Sequence, residues 1–219
     1  MPSVKGFSKS KEHLSPEQKF LSELILMDDI FIRIVLKDVK CTEFILQTIL
    51  QKPDLKVKTQ SIQSDLKNLQ GRSLILDCFC SDTKGTVYNI EVQNDSHGAS
   101  PKRARYHSAL IDMHILKKGK SFETLPESYV IFICAKDVLK ENKQIYHISR
   151  TVHESGSKFP DQSEIIYLNT SKDSENELGK LIEDFYTKDP KKMHSRVLAK
   201  RVADLKENKN IEKGEHDAM

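Results

Sequence analysis

No run of apolar residues in this chain approaches the roughly 20 needed to span a bilayer. The N-terminal stretch is polar and basic but carries no apolar h-region, so nothing in it reads as a secretory signal. Cysteine is sparse: Cys41, Cys78, Cys80 and Cys134 each stand inside an apolar stretch. Cys78 and Cys80 would share one face of a strand, but no second Cys/His pair lies nearby at zinc-knuckle spacing. Buried free thiols are therefore the reading. The chain has no internal repeat, no low-complexity segment and no linker. Neither sign of charge dominates, since 35 Lys and Arg against 32 Asp and Glu leave a net +3. That balance is compatible with a nucleic-acid partner without requiring one. These absences exclude a membrane-spanning or secreted class and point to the cytoplasm.

What is present is an ordinary globular composition, 37% hydrophobic and 31% charged over 219 residues, enough for one domain with a real core. Residues 15–207 are expected to form that domain, as a core to about residue 134 and a C-terminal extension over about 140–207. A flexible polar arm (1–14) and a polar tail (208–219) flank it. Ser15-Pro16-Glu17-Gln18 has the form of a helix start, with Ser as N-cap and Pro at the first helical position. Phe20, Leu21 and Leu24 open an apolar stripe that Asp28 and Asp29 interrupt, and a second helix spans residues 42–51 before Pro53. Alternating polarity over 56–62 predicts an amphipathic strand, and residues 73–80 and 86–93 predict two stronger ones. A helix over 102–118 follows, its stripe taken as Tyr106, Leu110 and Met113 with Gly119 as the stop. The continuous apolar run over 128–134 suits a buried central strand. Strands near 144–150 and 164–168 and helices near 175–186 and 191–206 complete the chain. The order helix–strand–strand–strand–helix–strand predicts an α/β fold, a mixed sheet with helices on both faces.

The hairpin carries the chemistry. Asp82-Thr83-Lys84-Gly85 has turn residues at turn spacing, Gly where φ > 0 is wanted. If Asp82 and Thr86 close the loop, counting five residues back along each strand sets Asp77 opposite Glu91, with Gln93 on the same face. Directly opposed residues have Cβ atoms about 4.5–5.5 Å apart, and like charges so placed destabilise a sheet unless compensated. A hard divalent cation compensates them, since magnesium takes one or two carboxylates and keeps several waters. The competing reading is a slip of one residue, which would send the two acids to opposite faces.

Leu26-Met27-Asp28-Asp29-Ile30-Phe31, Leu76-Asp77-Cys78, Tyr88-Asn89-Ile90-Glu91-Val92-Gln93, Arg103-Ala104-Arg105-Tyr106, Gly119 and the apolar strand after Leu125-Pro126 follow one another in a characteristic order. That ordered set resembles the recombination-promoting nuclease/transposase family of the PD-(D/E)XK superfamily, over roughly residues 20–200. The resemblance implies a restriction-endonuclease-like αβββαβ core and magnesium-dependent cleavage of DNA, with manganese as a possible substitute. It makes Asp77 and Glu91 the metal-binding catalytic acids and sets Gln93 at the position of the superfamily Lys. Asp28 matches an N-terminal acid of the family, with Asp29 equally close by spacing. Arg103 and Tyr106 match an Arg-x-x-Tyr on the helix after the hairpin, where they share a face.

Gln93 can position a water but not deprotonate it, which leaves the base unassigned. The family's Lys after Phe31 is also absent, and Ile32 stands there. Arg103 and Tyr106 would meet phosphate; the bland alternative is an Arg–carboxylate pair and a half-buried Tyr. Lys102, Arg103, Arg105, Lys117, Lys118 and Lys120 make a basic stretch suited to phosphates, or simply a solvated helix face. His97 and His107 lie near enough in sequence to be weighed as bases. Lys191, Lys192, Arg196, Lys200 and Arg201 could hold DNA or a second subunit. A homodimer would pair two sites for double-strand cutting. The alternative function is a non-catalytic DNA-binding or regulatory protein that keeps the fold; a third is a protein-interaction module.

Overall fold

The computed structural model describes residues 16–68, 71–95, 99–172 and 174–207. The expected N-terminal arm, the Ser15 cap, His97 and the polar tail lie outside them. The elements are α1 (Pro16–Glu23), α2 (Asp29–Leu36), α3 (Val39–Leu50), β1 (Val57–Leu66), β2 (Leu74–Asp82), β3 (Val87–Gln93), α4 (Pro101–Ile115), β4 (Ser128–Cys134), β5 (Ile145–Ile148), β6 (Ser163–Asn169), α5 (Glu177–Tyr186) and α6 (Arg196–Glu207). The expected core order is the observed α3–β1–β2–β3–α4–β4. The six strands form one mixed sheet in the order β1-β2-β3-β4-β6-β5. β1, β2 and β3 are antiparallel neighbours, β4 runs parallel to both β3 and β6, and β5 closes the edge antiparallel. No helix among the described residues is long and apolar enough to cross a membrane.

Every residue of β4 is buried, as a strand with helices over both faces must be. One core lies under α2, α3, α5 and α6, around Ile32, Val35, Leu46, Ile131 and Phe185. The other lies under α4, around Ala104, Ile111, Val130, Phe132 and Tyr167. Each such buried large side chain contributes about 1.5–3 kcal/mol.

The structure departs from expectation in two helices that bear on the site. The acids Asp28 and Asp29 do not break a helix; they start one, Asp28 at the N-cap position and Asp29 in the first turn of α2, where the helix dipole favours a negative charge. The rest of α2 buries Phe31, Ile32, Ile34, Val35 and Leu36. An element apolar nearly all round has no polar alternation to reveal it. In α4 the buried residues are Ala104, His107, Ser108, Leu110 and Ile111, whereas Met113 is 52% exposed. The helix ends at Ile115, and Gly119 (φ +79°) shapes the turn beyond it. Small Ala104 and Ser108 let α4 lie close on the sheet, which brings its first turns to β3.

Gly179 is fixed by close approach. It stands in the first turn of α5, where Asn176 caps its N–H at 2.8 Å. A Cβ there would lie 1.7 Å from the Ser174 carbonyl oxygen. Gly179→Ala is expected to cost about 1–3 kcal/mol, read as a lower urea midpoint; an unchanged midpoint would contradict this packing.

Candidate active site

The turn between β2 and β3 is built as its residues suggest. Asp82 N donates to the Thr86 carbonyl at 3.0 Å, and Gly85 adopts φ +91°. The Asp82 carboxylate accepts Lys84 N at 2.8 Å, Thr86 N at 3.0 Å and the Tyr88 hydroxyl at 2.9 Å. This closure sets the expected register, from Ser81 opposite Val87 to Cys78 opposite Ile90. Cys78 and Cys80 are buried free thiols in the core under α2 and α3. Contact with Cys78 and burial push the Cys80 thiol well above its usual range, so Cys80 does not behave as a ligand-ready thiolate.

At Asp77 the ladder changes hands. Leu74 and Leu76 pack under α4, whereas Cys78 and Cys80 pack on the opposite face, so β2 turns over at Asp77. Across from it on β1, Gln63 takes φ +55° between the pairs Ile62–Cys78 and Ser64–Leu76. The two carboxylates stand in for the missing ladder bonds. Asp77 N donates to Glu91 Oε1 at 3.3 Å, and Val92 N donates to Asp77 Oδ2 at 3.2 Å.

Both acids are buried, Asp77 at 5% and Glu91 at 1% exposure. Burial, then the charge of Asp77, pushes the Glu91 carboxyl up to about 8. Burial also raises Asp77, while Arg33 pulls it back. Two arginines answer the pair. Arg33 on α2 donates from Nε to Asp77 Oδ1 at 3.0 Å and also clasps Asp29. Arg103 on α4 holds Nη2 3.8 Å from Glu91 Oε2 and donates from Nε to His107 Nε2 at 3.3 Å.

His107, fully buried, has its Nδ1 3.2 Å from the Asn89 amide nitrogen and 3.8 Å from Glu91 Oε1. With Nε2 accepting from Arg103, the neutral ring carries its hydrogen on Nδ1, and a protonated ring would lose that accepted bond and face the guanidinium. Burial, then Arg103, depresses His107 to about 4. It is a neutral prop for Arg103 at pH 7.

The remaining expected residues divide. Gln93 sits half-buried at the end of β3, two positions beyond Glu91, and its amide makes no hydrogen bond among the described residues. Asp28 turns back to accept Ile25 N at 2.8 Å; the charge that reaches Asp77 is that of Asp29. Tyr106 faces away from the acids, donating to the Arg72 carbonyl at 2.5 Å and accepting from Asn68 at 3.1 Å. Lys102 and Arg105 line a separate cleft beyond α4. Of the C-terminal cations, Arg201 is spent on the Ile34 carbonyl at 3.0 Å. Arg33 was missed: its partner lies 44 residues away, inside an apolar run that hid the helix carrying it.

No cluster of three or more His, Cys, Asp or Glu among the described residues is arranged to hold a metal. Two buried carboxylates, the charge of Asp77 raising Glu91, nevertheless fit a hard divalent ion that keeps most of its waters. They do not fit a closed zinc cage.

A six-stranded mixed sheet with helices on both faces and an αβββαβ core is the architecture of a PD-(D/E)XK nuclease. The model of the PD-(D/E)XK nuclease family transposases matches residues 42–209, more than half of the chain, and the protein belongs to that family. No curated protein and no solved structure matches it. Membership indicates a nuclease with DNA as its substrate, in a superfamily that typically works with divalent metals.

Proposed function

We propose that the protein is a magnesium-dependent DNA endonuclease whose site is the Asp77–Glu91 pair at the open end of the β2–β3 hairpin. The observation that carries this reading is that two carboxylates are buried side by side where the ladder stops, each with its own arginine. Asp77 and Glu91 would hold magnesium, or manganese in its place. When bound, the ion supplies Lewis acidity and lowers the pKa of a coordinated water.

The Arg33 guanidinium favours the charged form of Asp77 and so opposes its burial. Arg103, whose side chain is 35% exposed, presents its remaining N–H groups to a phosphate oxygen while His107 holds its other edge. The Gln93 amide is free to orient a water or a phosphate oxygen. With no lysine after Glu91, Arg33 and Arg103 are the cations of the site. Action in the cytoplasm, and a homodimer where both strands are cut, belong to the same reading.

The test is plasmid nicking with and without magnesium. Wild type is expected to cut only with the ion, and Asp77→Ala and Glu91→Ala to lose about 100-fold or more. Cleavage that survives both substitutions would sink the assignment. DNA binding without cleavage would favour a regulatory protein on the same fold, the reading that the absent lysine supports.

A further inference from the structure

On the side of α4 turned from Glu91 lies a cleft of about 400 Å³ between α4, the end of β5 and the start of β6. Its floor is apolar, with Leu139, Ile148 and Tyr167, and its rim is cationic, with Lys102, Arg105 and Arg150. Arg150 is matched by Asp161. Lys102 and Arg105 have no carboxylate partner among the described residues. Lys102 precedes Arg103, so one turn of the helix sends one cation toward Glu91 and the next into the cleft.

We propose that this cleft takes one unpaired nucleotide of the DNA strand, its base on the apolar floor and its phosphate on Lys102 and Arg105. The proposal rests on the nuclease reading, which brings a phosphate chain to Arg103. The cleft is of a size for a small ligand. A base inside a duplex has its faces covered by neighbours, so only an unpaired one can offer a flat apolar face. Apolar contact between such a floor and the face of a base is sequence-tolerant, and phosphate contacts add salt sensitivity. The cations unmatched by acids, beside an anion-binding site, favour a nucleotide over an apolar peptide.

Binding of labelled DNA in EDTA, where nothing is cut, tests this by fluorescence anisotropy. A duplex with a short single-stranded tail is expected to bind about 10-fold tighter than its blunt counterpart. Ser149→Trp, at an exposed residue on the cleft lip, should erase that preference, and Arg105→Glu should weaken tail binding. On the unaltered protein, thymidine monophosphate should compete with the tail at concentrations where inorganic phosphate does not. Equal affinity for tailed and blunt duplexes, or a preference that ignores both variants and the nucleotide, overturns the proposal. The two readings fail separately: cutting with magnesium but no tail preference removes the cleft alone, and tail preference without cutting removes the nuclease alone.

Discussion

Glu91→Gln is expected to raise the melting temperature of metal-free protein at pH 8.5 by on the order of 5 °C, and to leave it nearly unchanged at pH 4.5. The carboxyl sits at about 8 when folded, against an ordinary value of 4.5. Between those two values the native state keeps a proton that the unfolded chain has released. Stability therefore falls as pH rises from about 4.5 to about 8, and below that window the contribution is fully present. Gln is neutral throughout, and its carbonyl can still accept Asp77 N, so its melting profile should lack this slope. Magnesium should stabilise wild type more at pH 8 than at pH 6, because it takes the deprotonated pair, and should do little for the variant. The same substitution should reduce cleavage about 100-fold or more. A difference in melting temperature that does not change with pH, or a variant that cuts normally, would contradict the role given to Glu91.

Arg33→Ala should cost about 3 kcal/mol at pH 7, because it leaves Asp77 buried beside a second acid with no cation. The estimate sits at the low end of the range for a broken buried pair, since the Arg33 side chain is 23% exposed. Without Arg33 the Asp77 carboxyl moves further above its ordinary value, so the loss should shrink as pH falls toward 4. Arg33→Lys keeps the charge but not the fork that reaches Asp77 and Asp29 together, and should recover only part. Adding Asp77→Asn to Arg33→Ala should restore most of the stability, since the charge needing a partner is gone. Urea unfolding of the four proteins measures this. A loss under about 0.5 kcal/mol, or no rescue by Asn, would show that the pair matters little.

The hairpin was legible because its information is local. Asp82, Gly85 and Thr86 set the register as far as Cys78 opposite Ile90, which brings Asp77 and Glu91 to the next position without reference to the rest of the chain. β4 was legible because six consecutive apolar residues, Tyr129–Cys134, have few other places to go. The second half of the site was hidden for the opposite reason. Arg33 belongs to a helix with no polar alternation, and its partner is set by tertiary packing. Tyr106 shares a helix face with Arg103, but Arg72 and Asn68 claim it from a loop whose path no spacing reveals. His107 looked like a candidate base only while its burial was unknown.

The turnover of β2 at Asp77 makes the two acids mechanically unequal. β3 is paired to β4 along its whole length, which anchors Glu91 in the middle of the sheet. Asp77 stands where β2 has let go of β3 and where its other neighbour, β1, is bent at Gln63. Glu91 is thus set by the sheet itself, whereas Asp77 is set by its partners: β1 on one side, Val92 N across the gap and Arg33 on α2. The spacing of the pair is therefore fixed from two separate stretches of chain, the β3–β4 ladder for one acid and the seating of α2 for the other.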